Sequence, residues 1–398
     1  MPSMMIKPGK TGLWLAVSLA LVAVVCVLVS SRPKPVRYQG KRFYQWASEL
    51  QEAQANYNDP DRQKKIESAA AAIRAMGTNG LPLVMADLRA RSTLKDGVIA
   101  WLAPRAKFLK LKPVSVSERW VRGIRAMEVL GPLGKPYLPE IITMVSNSTG
   151  YFEGALIAIG PDALPAFTNL LAHSKYPQTG NLIAYFSNAV YANRITPEQA
   201  AVALPYLVQV FKSTDSHGRW YAASAFGAIH QEPDVCIPLL ISGLTDPNAS
   251  VRESCARSLG AFGDAASEHA GKLADIFDQM DALTRRSICS AMGNFRSAAA
   301  ECVPVLVRGA ADPDLNVRVA AVTALGQLAA MPEEAIPALS QAVKDPNQVV
   351  RLMAAQSLGL FGKRATNALP VLERARSDPD ASVRDIVGTA IKRINEGW

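Results

Sequence analysis

The chain is poor in the residues on which enzymes and metal proteins most often depend. Its 398 residues include four histidines (His173, His217, His230 and His269) and five cysteines (Cys26, Cys236, Cys255, Cys289 and Cys302). No two cysteines form a Cys-x-x-Cys pair and no histidine has another four residues on, so structural zinc and helix-borne His sites lack their ligands. Glycines stand singly and at regular spacing, which leaves no phosphate-cradling loop and no nucleophile elbow. Aromatic residues are scarce at 7%, yet apolar residues reach 49%, too many for a disordered chain. Ala, Leu and Val dominate, as in helices packed through small side chains.

The net charge of +9 is unevenly spread. Residues 1–50 hold seven Lys and Arg against Glu49, and residues 89–125 hold ten against Asp96 and Glu118, so the rest of the chain carries a small acidic excess. The basic balance therefore reports two segments rather than a nucleic-acid-binding groove, and a nucleic-acid partner is not expected. From Thr11 to Ser31 the sequence TGLWLAVSLALVAVVCVLVSS contains no charge. As a helix it extends about 31 Å, the hydrocarbon thickness of a bilayer. A single-pass anchor at residues 11–31 is the expectation, with a cleavable signal peptide as the rival reading. Basic residues flank both ends, so the orientation stays open.

The C-terminal half repeats itself every 33 residues. DPNASVRESCARSLGAFG at 246–263 returns as DPDLNVRVAAVTALGQLA at 312–329 and DPNQVVRLMAAQSLGLFG at 345–362. Arg219, Arg252, Arg285, Arg318, Arg351 and Arg384 form one column, and Gly227, Gly260, Gly293, Gly326 and Gly359 another. Leu259, Met292, Leu325, Leu358 and Ile391 form an apolar column beside Phe262, Phe295, Leu328, Phe361 and Ile394. Asp246, Asp312, Asp345 and Asp378 precede Pro, with Asn or Asp two residues later, which is turn chemistry at a helix start. Apolar residues at three- and four-residue steps then mark a first helix. The glycine near its end either permits a left-handed exit or lets a neighbouring helix come close. Pro205, Pro238, Pro304, Pro337 and Pro370 are read as opening a second helix at its first turn. Such a hairpin is too small to bury its apolar faces alone and must stack on its neighbours. The recurrent arginines suit a structural ladder with the recurrent aspartates and backbone carbonyls, a solvated basic binding stripe being the other reading. Gln279, where an Asp would fall, is the main departure.

These columns resemble HEAT repeats, in the short bacterial form also called PBS-lyase HEAT-like repeats. The matching elements are the DPxxxVRxxAxxxLGxxG helix, the Pro-marked second helix and the tandem array. Weaker copies lie at 67–88, 121–145 and 153–171, and another is expected within 178–212. The resemblance implies an all-α fold, an α-α superhelix or solenoid of about eight to nine hairpins, preceded by the transmembrane or signal helix. The expected organisation is a basic flank at 1–10, the apolar segment at 11–31, a linker at 32–37, an amphipathic capping helix at 38–58, divergent repeats at 59–212 with the basic segment at 89–125, and regular repeats at 213–398. Within the basic segment Arg105, Lys107, Lys110 and Lys112 form a possible contact surface for anionic lipid or an acidic partner, and a divergent hairpin with a solvated basic face is the plainer reading.

The resemblance is not specific for function, because such arrays serve mainly as scaffolds. A HEAT-type family resembling deoxyhypusine hydroxylase holds iron with His-Glu pairs, and this chain has no His-Glu dipeptide. No catalytic, cofactor-binding or metal-ligating residue is identified, and no cofactor is expected. The leading expectation is a bacterial, membrane-tethered, non-enzymatic scaffold that offers the concave face of its solenoid to a protein or peptide. The alternatives are a regulatory or lyase-like subunit acting on a chromophore or enzyme, and a binder of anionic surfaces or nucleic acid.

Overall fold

The computed structural model describes residues 36–92, 114–147, 152–172 and 179–396. The expected anchor at 11–31, the four basic residues Arg105, Lys107, Lys110 and Lys112, and His173 lie outside the described residues. Among the described residues no helix is long and apolar enough to cross a membrane. The chain divides into two compact units, residues 1–141 and 142–398.

The first unit opens with a two-stranded antiparallel hairpin, β1 (Arg37–Tyr38) and β2 (Lys41–Arg42), turned by Gln39 and Gly40 at positive φ. The amphipathic helix expected from residue 38 therefore begins at Phe43, as α1 (Phe43–Ala55). Its apolar face is nonetheless the one the sequence marks, with Phe43, Trp46 and Leu50 buried. The Trp46 indole N–H donates to the Tyr38 carbonyl and pins the hairpin onto the helix. Next come α2 (Arg62–Met76), α3 (Leu81–Leu88) and α4 (Val116–Leu130), the last started by a Ser115–Glu118 capping box. The division between units falls within α5 (Leu138–Asn147).

The second unit is a succession of helix pairs. It continues with α6 (Glu153–Ala158), α7 (Leu164–Ala172), α8 (Thr179–Tyr191), α9 (Pro197–Ala200) and α10 (Leu204–Phe211). Regular layers follow, in which first helices alternate with second helices: α11 (Ser216–Ile229), α12 (Pro233–Gly243), α13 (Ala249–Phe262), α14 (Ala270–Ile276), α15 (Ala282–Met292) and α16 (Ala299–Gly309). The last are α17 (Leu315–Leu328), α18 (Pro332–Ala342), α19 (Gln348–Leu360), α20 (Leu369–Ala375) and α21 (Ala381–Glu396). The six first helices from α11 to α21 all start 33 residues apart. Each start is set by a side-chain column, Asp215, Asn248, Asp281, Asp314, Asn347 and Asp380. The side-chain oxygen of each accepts a backbone N–H from the opening turn.

First helices pack on first helices in chain order, and second helices lie against the following first helix. The core is the set of repeating apolar columns: Leu259, Met292, Leu325 and Leu358 are inaccessible to solvent. The glycine column resolves in favour of close approach. A Cβ built on Gly260 stands 2.9 Å from the Ala291 Cα of the next first helix, and one on Gly359 stands 3.2 Å from the Ala390 Cα. Leaving the first helix in a left-handed conformation falls to other residues, and by two routes. His230 with Glu232, and Ala329 with Met331, take positive φ and start the second helix at once at Pro233 and Pro332. Gly263 and Gly362, at φ +55°, instead lead through a 3-10 stretch before α14 and α20 begin. Each route recurs every third layer.

This corrects the reading of the proline column. Pro205 and Pro370 do sit in the first turn, but Pro238, Pro304 and Pro337 lie inside α12, α16 and α18. The α12 and α18 layers use the short route, and in all three layers the helix gains a turn ahead of the proline.

Candidate functional site

The charged columns meet between layers. Arg219 Nε and Nη2 donate to the two carboxylate oxygens of Asp246 at 2.7 and 3.0 Å. Arg285 holds Asp312 in the same fork at 2.7 and 2.9 Å, Arg318 holds Asp345 at 2.9 and 3.3 Å, and Arg351 holds Asp378 at 2.8 and 2.9 Å. In each of these four couples the aspartate lies 27 residues after its arginine, across the second helix. The remaining nitrogen of the guanidinium points the other way. Arg252 Nη1 donates to the Asp246 carbonyl at 2.7 Å, Arg318 Nη1 to that of Asp312 at 2.9 Å, and Arg351 Nη1 to that of Asp345 at 3.0 Å. One Asp-Pro turn thus receives the preceding arginine on its side chain and the following arginine on its backbone. Arg384 makes the carbonyl half, to Asp378 at 2.6 Å.

Gln279 does not break this series. Arg252 turns to Asp281, donating from Nη2 at 2.5 Å and from Nε at 3.1 Å. Asp281 also caps α15 through the Thr284 N–H, so one side chain performs two tasks that two residues share in other layers. Nothing in the 33-residue Asp column marks Asp281, because it belongs to the capping column. A further couple escaped the repeat reading altogether. Asp87, fully buried at the end of α3, accepts a fork from Arg122 at 2.7 and 2.9 Å and a longer bond from Arg119. The long segment before α4 shifts these residues out of the 33-residue register, which hides the pair.

The electrostatics follow from the pairing. Burial alone pushes the Asp246 carboxyl up, but the Arg219 fork and the Asn248 N–H outweigh it and hold the group below the usual range. Asp281 and Asp312 balance in the same way, and in Asp378 the Arg351 fork is the leading cause of a lowered value. Arg219, Arg285 and Arg351 are correspondingly raised by hydrogen bonds to their aspartates.

The other reactive side chains are placed apart. Cys236, Cys255, Cys289 and Cys302 are buried free thiols. Burial pushes Cys236, Cys289 and Cys302 up to about 12 and raises Cys255 as well, which keeps them as unreactive thiols at neutral pH. His217 lies in the first turn of α11, His230 is the left-handed cap of the same helix, and His269 faces Glu268 at 3.4 Å. Among the described residues no group of three or more His, Cys, Asp or Glu side chains could hold a metal ion.

Stacked helix pairs of this kind define an α-solenoid, and comparison with known proteins gives the class a name. A family model for HEAT repeats matches residues 204–279, 270–341 and 327–392, so the regular layers are HEAT repeats. No curated protein matches the chain. Among solved structures the chain is similar to the karyopherin Kap121p bound to the extreme C-terminus of the protein phosphatase Cdc14p, with 15% identity and a TM-score of 0.52 over 91% of this chain and 46% of that one. It is similar to another structure of Kap121p at 15% identity and a TM-score of 0.51, and to Kap121p bound to Ste12p at 16% and 0.50, with the same coverage. The chain thus spans under half the length of these structures, and at this identity the likeness is one of fold.

Proposed function

We propose that the chain is a non-enzymatic, membrane-tethered scaffold that binds a protein or peptide along the concave face formed by its second helices, with residues 11–31 as a single-pass anchor. The observation that carries the reading is what the charged and polar columns are used for. The arginines and aspartates are consumed in joining layers and the thiols in filling the core, so what the repeat leaves for a partner is its long outer surface. That surface is not uniform. Val235 is exposed and Leu239 and Ile241 are half-exposed on α12, whereas α18 shows Glu333 and Glu334 and α20 shows Glu373 and Arg374. An apolar start followed by a charged continuation suits an extended amphipathic peptide. Kap121p, a longer protein of like fold, has been solved with Ste12p and with a C-terminal segment of Cdc14p, which supports peptide binding by such layers.

Two measurements test this. A photo-crosslinking residue placed at Val235 or Glu334 should capture a protein from intact cells, and crosslinks confined to solvent-side first-helix positions would overturn the concave reading. Deleting residues 11–31 should move the chain from the membrane pellet to the supernatant; retention in the pellet would rule out the anchor.

A further inference from the structure

The layer contacts contain one charge cluster that the repeat does not require. Between the first helices α13 and α15 lies a groove of about 390 Å³, lined by Glu253, Arg257, Gly260, Arg286, Ser287, Ser290 and Asn294 among others. Its volume falls at the lower end of the roughly 300–1,000 Å³ of ligand sites. Its floor exists because Gly260 meets Ala291 with no side chain between the helices. The Glu253 side chain is only 9% exposed, and its Oε1 accepts from Arg257 Nη1 at 3.0 Å, Arg286 Nη2 at 3.5 Å and Ser287 Oγ at 3.5 Å. Arg257 also reaches the Ser254 hydroxyl at 3.4 Å. Two guanidinium groups, half exposed at the rim, therefore share one carboxylate, and the contact of Arg286 is long. The cluster keeps a net positive charge and unused guanidinium donors that face solvent.

The same frame occurs a second time, three layers on, and shows what the fold itself needs. Gly359 meets Ala390 between α19 and α21, and the groove there is about 60 Å³, lined by Gln356, Ile386, Thr389 and Arg393. In that copy Leu352 stands at the Glu253 place, Gln356 at the Arg257 place and Asp385 at the Arg286 place. Close helix approach thus needs neither the buried carboxylate nor the paired arginines. We propose that the groove between α13 and α15 is a second docking site, on the first-helix side, for an acidic peptide segment whose Asp or Glu side chain takes the free donors of Arg257 and Arg286. Glu253 then has two parts: it holds both guanidinium groups in place while the groove is empty, and it competes with the incoming carboxylate. Fork-shaped arginine donors suit a carboxylate, and a shared, underused pair gives an opening that a satisfied pair would not. The inference rests on the reading of the chain as a protein-binding scaffold, but it concerns the opposite side from the second helices.

The test uses the full chain in detergent and a fluorescein-labelled hexaglutamate peptide, with hexalysine as control, read by anisotropy. Binding to hexaglutamate is expected, weakening as salt is added. The Arg257→Gln/Arg286→Gln double variant should lose about tenfold or more in affinity, and Glu253→Gln should bind several-fold more tightly by removing the competitor. Thermal melts of all variants check that the fold persists, and Arg286→Gln alone, at a 40% exposed side chain, provides a variant with little structural risk. Unchanged affinity in both arginine variants would overturn the proposal, as would weaker binding by Glu253→Gln. Displacement of the peptide by low-millimolar phosphate but not by acetate would also overturn it, assigning the groove to a phosphate group. Crosslinks from Val235 and Glu334 do not involve this groove, so they separate failure of the docking site from failure of the scaffold reading.

Discussion

Residues 216–396 and residues 152–211 build helix pairs in one unit by different chemistry. In the C-terminal stretch every layer boundary carries an arginine paired with an aspartate, and the first-helix starts never leave the 33-residue register. The earlier stretch contains a single arginine, Arg194, and is joined by rings: Phe167 and Phe186 are stacked at 4.2 Å with 17° between their planes, and Phe211 meets Phe226 at 5.6 Å where the regular layers begin. An Arg–Asp fork tolerates only a narrow geometry, and the first helices that carry these arginines start at a constant 33-residue spacing.

The largest effects should come from the core of both regions. Phe186→Ala should lower stability by about 3–5 kcal/mol and Leu325→Ala by about 2–5 kcal/mol, since each empties a fully buried site. If denaturant melts showed Phe186→Ala to be mild, aromatic joining of residues 152–211 would be wrong. Gly260→Val, forced against the Ala291 backbone, should cost about 1–3 kcal/mol through overpacking. Arg318→Leu leaves Asp345 without its fork, and we expect a loss of about 1–3 kcal/mol, moderated by the partial exposure of the pair. Hydrogen exchange should speed at the amides of 312–318 and 345–351 and stay unchanged over 152–211; uniform loosening would deny the couples a local role.

Acid distinguishes the regions further. The carboxyls of Asp246, Asp281, Asp312 and Asp378 are lowered in the folded chain, so they contribute stability above the ordinary aspartate range, and that contribution disappears as pH falls through their folded values. Exchange in 216–396 should therefore accelerate below about pH 4 before that in the ring-joined layers. Simultaneous loss would show that the aspartates do not set the difference. The smallest effect is expected at the exposed Arg376–Glu373 pair, where Arg376→Ala should change stability by less than about 1 kcal/mol.

Much of this is legible in the amino-acid sequence. The core columns, the first helices and the Asp-Pro turns could be read from spacing alone, because helical periodicity and turn chemistry act over a few residues. The proline column misled, since the two routes out of the first helix differ by non-glycine residues at positive φ, such as His230 and Ala329, which no composition rule announces. Asp87 with Arg122, and Asp281 with Arg252, were hidden because their register is broken by an insertion in one case and by a change of column in the other.

The amino-acid sequence by itself determined that 33-residue helix pairs recur and which of their faces must be dry, because both follow from local preferences repeated in tandem. Only the stacked structure decided that an arginine takes the carboxylate 27 residues ahead and the carbonyl six residues behind, and that Glu253, Arg257 and Arg286 converge on one groove. Those choices depend on distances between layers, which exist only once the helices have packed.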